Sequence, residues 1–153
     1  MTALAPIGRH LPATPPAAMG RVRALEARVR ELPQVQIPTD HVIHSGLYAR
    51  TICIPAGVIL TGAEIACATL LVMSGHVAVT LGDTTQELAG YHVLPACAGR
   101  KQAFLALTDT HLTMIFATDA ATVASAEAHF TPEPDALMSR APGAINTITI
   151  TGD

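Results

Sequence analysis

The sequence has few aromatic side chains and little charge. Its 153 residues include no tryptophan, two tyrosines and three phenylalanines. Charged residues make up 14% of the chain, against about 25% in ordinary soluble domains. The formal net charge is −3. A chain without basic excess or stacking rings is poorly equipped to neutralise phosphates or stack on bases, so nucleic-acid binding and sugar-stacking lectin functions are not expected.

Long apolar runs and a regular cysteine pattern are also missing. Pro, Gly or charge interrupts every apolar run before the roughly 18 residues of a membrane span, so no membrane partner is expected. Cys53, Cys67 and Cys97 are an odd number without CxxC spacing, which predicts free thiols. Residues 1–20 contain four prolines and no apolar core of a secretory signal. The sequence therefore predicts a cytoplasmic protein, unless a larger particle carries it.

What is present is a high apolar content, which predicts one packed domain with flanking segments. Residues 1–39 are interpreted as an N-terminal arm that carries a helix over 21–32 and stops at Pro33. The helix has one apolar stripe, formed by Val22, Leu25, Val29 and Leu32. A three-turn helix is unstable alone, so it either packs on its own domain or pairs with copies of itself.

Residues 40–118 carry short apolar or alternating runs separated by turn signals such as Ser45-Gly46, Ser74-Gly75 and Gly82-Asp83. This spacing predicts an all-β sandwich or barrel. Residues 119–153 are interpreted as a C-terminal helix and tail, with the helix over 120–129 capped by Thr118 or Asp119. The tail ends in a lone alternating strand that presents Ile145, Ile148 and Ile150. Such a strand either returns to its own sheet or adds to a neighbour's sheet.

The order of motifs in 46–117 resembles the cupin family of small jelly-roll barrels. The resemblance is carried by five segments: Gly46–Arg50 (GLYAR), Ile54–Gly57 (IPAG), Leu71–Val77 (LVMSGHV), Gly90–Ala96 (GYHVLPA) and Ala106–Thr110 (ALTDT). The first and last of these also resemble cupin-like proteins of tailed bacteriophages. The implied fold is an all-β cupin-type jelly-roll barrel with a short N-terminal helix, a short C-terminal helix and extended terminal arms.

The resemblance also implies where a metal would bind, because typical cupins place His-x-His, a Glu and a further His around one barrel mouth. Counted from Gly57 and Gly75, those positions fall on Ala63, Ile65, Ala68 (Thr69 when counted forward) and Gln102. Methyl groups cannot hold a metal ion, so no cofactor and no metal are expected.

Four other side chains are weak candidates for contacting a ligand: Tyr48, His92, Arg100 and His111. His76, His92 and His111 lie on separate strands and could converge on a metal, although isolated histidines are the favoured interpretation. Arg100 and Lys101 form a basic spot at the barrel mouth that could bind an anion, with a solvated loop favoured over that site.

Two functions follow as expectations. The first is a non-catalytic structural protein of a bacteriophage virion, in a decoration, collar or tail-associated position. It would act through homo-oligomeric and partner contacts of the helix stripe and the tail isoleucines. The alternative is a cupin-type small-molecule-binding protein or a metal-dependent enzyme with a non-standard site.

Overall fold

The computed structural model describes residues 10–152. This part of the chain forms two α-helices, eight β-strands and two short 3-10 turns. The helices are α1 (Pro16–Val29) and α2 (Val123–Phe130), and the 3-10 turns are Pro134–Ala136 and Met138–Arg140. The strands are β1 (Thr39–His44), β2 (Leu47–Ile54), β3 (Ile59–Thr61), β4 (Thr69–Leu81), β5 (Thr84–Ala96), β6 (Ala103–Ala106), β7 (Thr110–Ala117) and β8 (Asn146–Thr151).

The strand pairing is nested in the way that defines a jelly roll. Antiparallel pairs join β4 to β5, β3 to β6 and β2 to β7, so the segment from β2 to β7 is one long hairpin folded at the β4–β5 turn. The hairpin then rolls up, because β4 also pairs with β7 and β6. The predicted all-β, cupin-type jelly-roll barrel is confirmed.

The barrel core follows from alternation along the strands. On β4 the inward positions are Leu71, Met73, Val77 and Val79, and on β7 they are Leu112, Met114 and Phe116, all buried. Successive strand residues point to opposite faces, so these apolar side chains share the barrel interior. Their burial is the main stabilising contribution, at about 25 cal/mol per Å² of apolar surface.

The N-terminal helix differs in position from its prediction. It spans Pro16–Val29 instead of 21–32, because Pro16 sits in the first helical turn, where its missing N–H costs nothing. Val22 is buried, Leu25 and Val29 are half-buried, and Leu32 lies beyond the helix and is exposed. The helix packs on its own barrel, so Val22 is not available for the predicted partner contact. Residues 1–9 of the predicted arm lie outside the described residues.

The C-terminal segment also returns to its own barrel. Helix α2 begins three residues later than predicted, because Thr122 caps it by accepting a hydrogen bond from the Ser125 N–H at 3.1 Å. Strand β8 pairs in parallel with β1, with Ile148 beside His41 and Ile150 beside Ile43. Neither described helix is long and apolar enough to cross a membrane.

Candidate functional site

A cavity of about 160 Å³ lies inside the barrel. Its walls come from β2, β3, β4, β6 and β7, with α1 and the segment after α2 adjoining them. Most of the wall is apolar and includes Ile52, Leu60, Ile65, Leu71, Phe104 and Leu112. Concave, mostly apolar pockets with a few fixed polar groups are the usual form of small-molecule sites.

The cavity contains three of the four positions that the sequence assigned to replaced metal ligands. Ala63, Ile65 and Gln102 line it. Ala68 does not, because it is exposed and precedes β4, whereas Thr69 begins the strand and is buried. Of the two positions that the sequence left open, Ala68 and Thr69, the inward one is therefore Thr69. These residues do not fit a cupin metal, and within 10–152 no three His, Cys, Asp or Glu side chains cluster as metal ligands.

Arg100 is the most unusual polar group of the cavity wall. Its side chain is buried, with 3% of the residue exposed. Nη1 donates to the Cys97 carbonyl and Nη2 to Thr69 Oγ1, each at 2.8 Å, and Nη2 lies 3.9 Å from Met114 Sδ. No Asp or Glu of the described chain lies within ion-pair distance. Burial lowers the pKa of Arg100 to about 10, because desolvation disfavours its charged form.

Lys101 is buried as well, with 1% exposure, so the favoured interpretation of Arg100 and Lys101 as a solvated loop was wrong. The Lys101 ammonium donates to Glu26 Oε2 at 2.9 Å and to the Gly62 carbonyl at 2.8 Å. Glu26 lies on α1, 75 residues away along the chain. The ion pair ties the helix to the barrel beside the cavity.

Tyr48 was predicted from the sequence as a candidate ligand contact, but its side chain does not line the cavity. It is fully buried, and its hydroxyl lies 2.7 Å from His41 Nδ1. His41 Nε2 in turn lies 2.6 Å from Asn146 Oδ1 on β8. Burial lowers the pKa of His41 more than its hydrogen bond to Asn146 raises it. These contacts give Tyr48 and His41 a structural role in holding β8 on the sheet.

Arg50 on β2 lines the cavity, although it was not among the candidate ligand contacts predicted from the sequence. Arg50 Nη1 lies 3.0 Å from Glu127 Oε2, and Arg50 Nη2 donates to Ser139 Oγ at 3.0 Å. Arg140 Nε also lies 2.9 Å from Glu127 Oε1. Glu127 therefore joins the barrel wall to the segment after α2. Its position in the GLYAR motif was the one sequence signal for Arg50.

The strand histidines do not converge. His92 pairs with Met73 and His111 with the next residue, Ser74, so the two histidines lie on opposite faces of the sheet. His92 Nε2 donates to the Ala89 carbonyl at 2.8 Å, and His111 is exposed. His76 lies 3.1 Å from Glu87 on β5. Neither His92 nor His111 lines the cavity, so the predicted ligand contacts of these two side chains are not found there.

Comparisons with solved structures find cupins. A cupin superfamily protein from Desulfitobacterium hafniense is 19% identical, over 61% of this chain and 87% of its own, with a TM-score of 0.47. An RmlC-like cupin with a double-stranded β-helix fold from Methanocaldococcus jannaschii is 11% identical, over 54% and 81%, with a TM-score of 0.45. A cupin-2 domain-containing protein from Shewanella frigidimarina is 13% identical, over 61% and 91%, with a TM-score of 0.40.

No protein-family model and no curated protein sequence matches the chain. These similarities are too distant to serve as further evidence for the fold. The cupin-like barrel is seen directly in the strand pairing. The narrower resemblance to phage proteins stays a prediction.

Proposed function

We propose that this barrel is a metal-independent, non-catalytic binding module for one small, mainly apolar molecule. The observation that carries the proposal is the cavity of about 160 Å³, lined by Ala63 and Ile65 where the cupin pattern would place histidines. Apolar groups at these positions favour desolvation of an apolar guest and offer no ligand to a metal ion.

The size of the cavity limits the guest. A buried apolar cavity of about 150 Å³ is known to stay dry and to take up benzene or xenon. The cavity of this barrel, at about 160 Å³, is of that size. A single ring or a short branched chain would fill it.

The ionic side chains of the wall support binding more than catalysis. Glu26 pairs with Lys101 at 2.9 Å, Arg50 with Glu127 at 3.0 Å and Glu133 with Arg23 at 3.1 Å. Each of these charged groups is already engaged by a partner within the protein. We therefore assign these groups to the cavity frame.

Toluene tests this proposal. We expect toluene to give saturable amide shifts around the cavity in ¹H–¹⁵N spectra, because burial of its ring is favourable. Ala63→Phe should abolish the shifts by filling the space, since Ala63 lines the cavity. Ala68→Phe is the matched control: the same substitution at an exposed alanine should leave binding intact. Absence of saturable shifts in the wild type would contradict the proposal.

Self-association is the second candidate function, and the edge strand β8 favours it. Ile148 and Ile150 point to the same face as the buried His41 and Ile43, yet remain 53% and 55% exposed. The strand, Asn-Thr-Ile-Thr-Ile-Thr, has no charge, proline or bulge of the kind that protects sheet edges in monomers. Two copies of β8 paired antiparallel about a two-fold axis would extend the sheet and cover these isoleucines.

The Ile148→Lys variant tests whether β8 mediates self-association. We expect the wild type to run as a dimer in size-exclusion chromatography with light scattering, and Ile148→Lys to be monomeric, because a lysine on the edge opposes strand addition. Leu70→Lys is the control, since Leu70 is 45% exposed on β4, away from β8. A monomeric wild type at tens of micromolar would exclude this candidate.

A place in a bacteriophage virion would extend such self-association to other virion proteins. The sequence resemblance to phage cupin-like proteins is its support. Purified particles should then contain the chain at fixed stoichiometry, and absence from particles would contradict this role.

A further inference from the structure

The geometry points to a ligand class for the cavity: a small apolar molecule carrying one carboxylate, which Arg100 would hold. This inference rests on the proposed binding function and specifies it.

The charge balance singles out Arg100. Of the cavity's five charged side chains, Glu26, Lys101, Arg50 and Glu133 each have an opposite charge within 3.1 Å. Arg100 has none among residues 10–152. A buried charge without a counter-ion is costly, so this guanidinium is the point of the wall where an anion would gain most.

Arg100 also keeps hydrogen-bonding capacity. A guanidinium has five N–H donors. In the described chain they meet the Cys97 carbonyl, Thr69 Oγ1 and, more weakly, Met114 Sδ. The two remaining N–H groups lie on Nε and Nη1 and point in different directions. A carboxylate that displaces the weak Met114 contact would accept from the freed Nη2–H together with one of these two, as a bidentate pair. Since both terminal nitrogens are already anchored, the group would not have to be ordered on binding.

The surroundings of Arg100 favour a carboxylate over a phosphate. The neighbouring wall is apolar, with Ile65, Leu71, Leu112 and Met114 lining the same cavity. A phosphate needs several donors around its oxygens, whereas one planar guanidinium satisfies one planar carboxylate. Desolvation already lowers the pKa of Arg100, and a bound carboxylate would reverse that effect by stabilising the charged form.

Benzoate, benzamide and toluene separate the alternatives, because the three share one ring and differ in charge and polarity. We expect benzoate to bind the wild type roughly tenfold or more tightly than benzamide, as charge-assisted hydrogen bonds exceed neutral ones. Arg100→Gln should remove that preference and retain toluene binding. Arg21→Gln is the matched control, since it removes the same charge from an exposed arginine that pairs with Asp83.

A spectroscopic readout on the unaltered protein covers the case in which Arg100→Gln does not fold. At saturation, the Nε–H resonance of Arg100 should shift much more with benzoate than with benzamide, because only benzoate forms a charge-assisted hydrogen bond with the guanidinium. Toluene binding with equal affinities for benzoate and benzamide would overturn the carboxylate inference and leave the proposed function standing. Displacement of benzoate by inorganic phosphate at equal affinity would also overturn it. Failure of all three ring compounds to bind would instead remove the proposed function.

Discussion

Replacing Glu127 by alanine is expected to destabilise the protein by about 3–5 kcal/mol, the usual result of removing one partner from a buried ion pair. The Glu127 side chain is 3% exposed and contacts Arg50 and Arg140 through different oxygens. Ser139 Oγ also donates to Glu127 Oε2. The variant would leave the Arg50 guanidinium beside the cavity without its carboxylate, and would loosen the segment after α2.

Urea unfolding gives the measurement. The midpoint should fall at nearly constant slope, and the melting temperature should fall by roughly 10 °C. Glu87→Ala is the control. The Glu87 side chain is 67% exposed, and its one ion-pair partner in the described chain is His76. Its effect should stay below about 1 kcal/mol, as for surface pairs. Equal effects of the two variants would show that Glu127 is not the centre of a buried network.

The same carboxylate predicts a pH dependence. Burial raises the pKa of Glu127, but the hydrogen bonds from Ser139, Arg140 and Arg50 outweigh it and hold the pKa below its usual value. A folded-state pKa below the unfolded value of about 4.3 gives stability that is present above pH 4.3 and is lost as pH falls through the folded pKa. Glu127→Gln should flatten the stability curve in this acidic window. An unchanged curve would contradict the assignment.

The barrel could be predicted from the sequence because its signals are local. Turn pairs such as Ser45-Gly46 and Gly82-Asp83 mark where strands reverse, and alternating apolar residues mark the inward face. The turn predicted at Ser74-Gly75 was wrong, because both residues lie inside the continuous strand β4. The start of α1 could not be predicted in the same way. A run containing Pro15 and Pro16 is typical of an extended arm, and only the packing of Ala18 and Val22 on the barrel decides that the helix begins there.

The cavity was predictable only in part, for a physical reason. Ala63, Ile65 and Gln102 follow from spacing within one family pattern. Glu26 and Glu133 reach the cavity from segments that fold onto the barrel from both ends of the chain. Arg100 and Lys101 have the composition of an exposed loop, and their burial depends on Thr69 and Glu26, partners distant in sequence. Long-range pairing of this kind leaves no local pattern.

Gly75→Ala is the other substitution with a large expected effect. A Cβ at Gly75 would lie 2.6 Å from Thr110 Oγ1 and 2.8 Å from both the Asp109 carbonyl oxygen and Thr110 Cα. Its φ of +143° is also one that residues with side chains rarely adopt. Backbone strain and overpacking each cost about 1–3 kcal/mol, so we expect a loss of roughly 3 kcal/mol or more by urea unfolding.

Gly90→Ala separates the two causes. Gly90 is the residue paired with Gly75 across β4 and β5, and its φ is +92°, but no atom lies within 4 Å of a Cβ built there. Gly90→Ala should therefore show the backbone cost alone. The difference between the variants measures the close approach of β4 to Thr110, the first residue of β7, at a point where Thr110 Oγ1 donates to the His76 carbonyl at 3.1 Å. Because β4 and β7 also carry Leu71, Leu112 and Met114 of the cavity wall, separating them should weaken toluene binding as well. If Gly75→Ala and Gly90→Ala lowered the free energy of unfolding equally, the loss would come from backbone conformation alone. The close approach of β4 to Thr110 would then make no contribution.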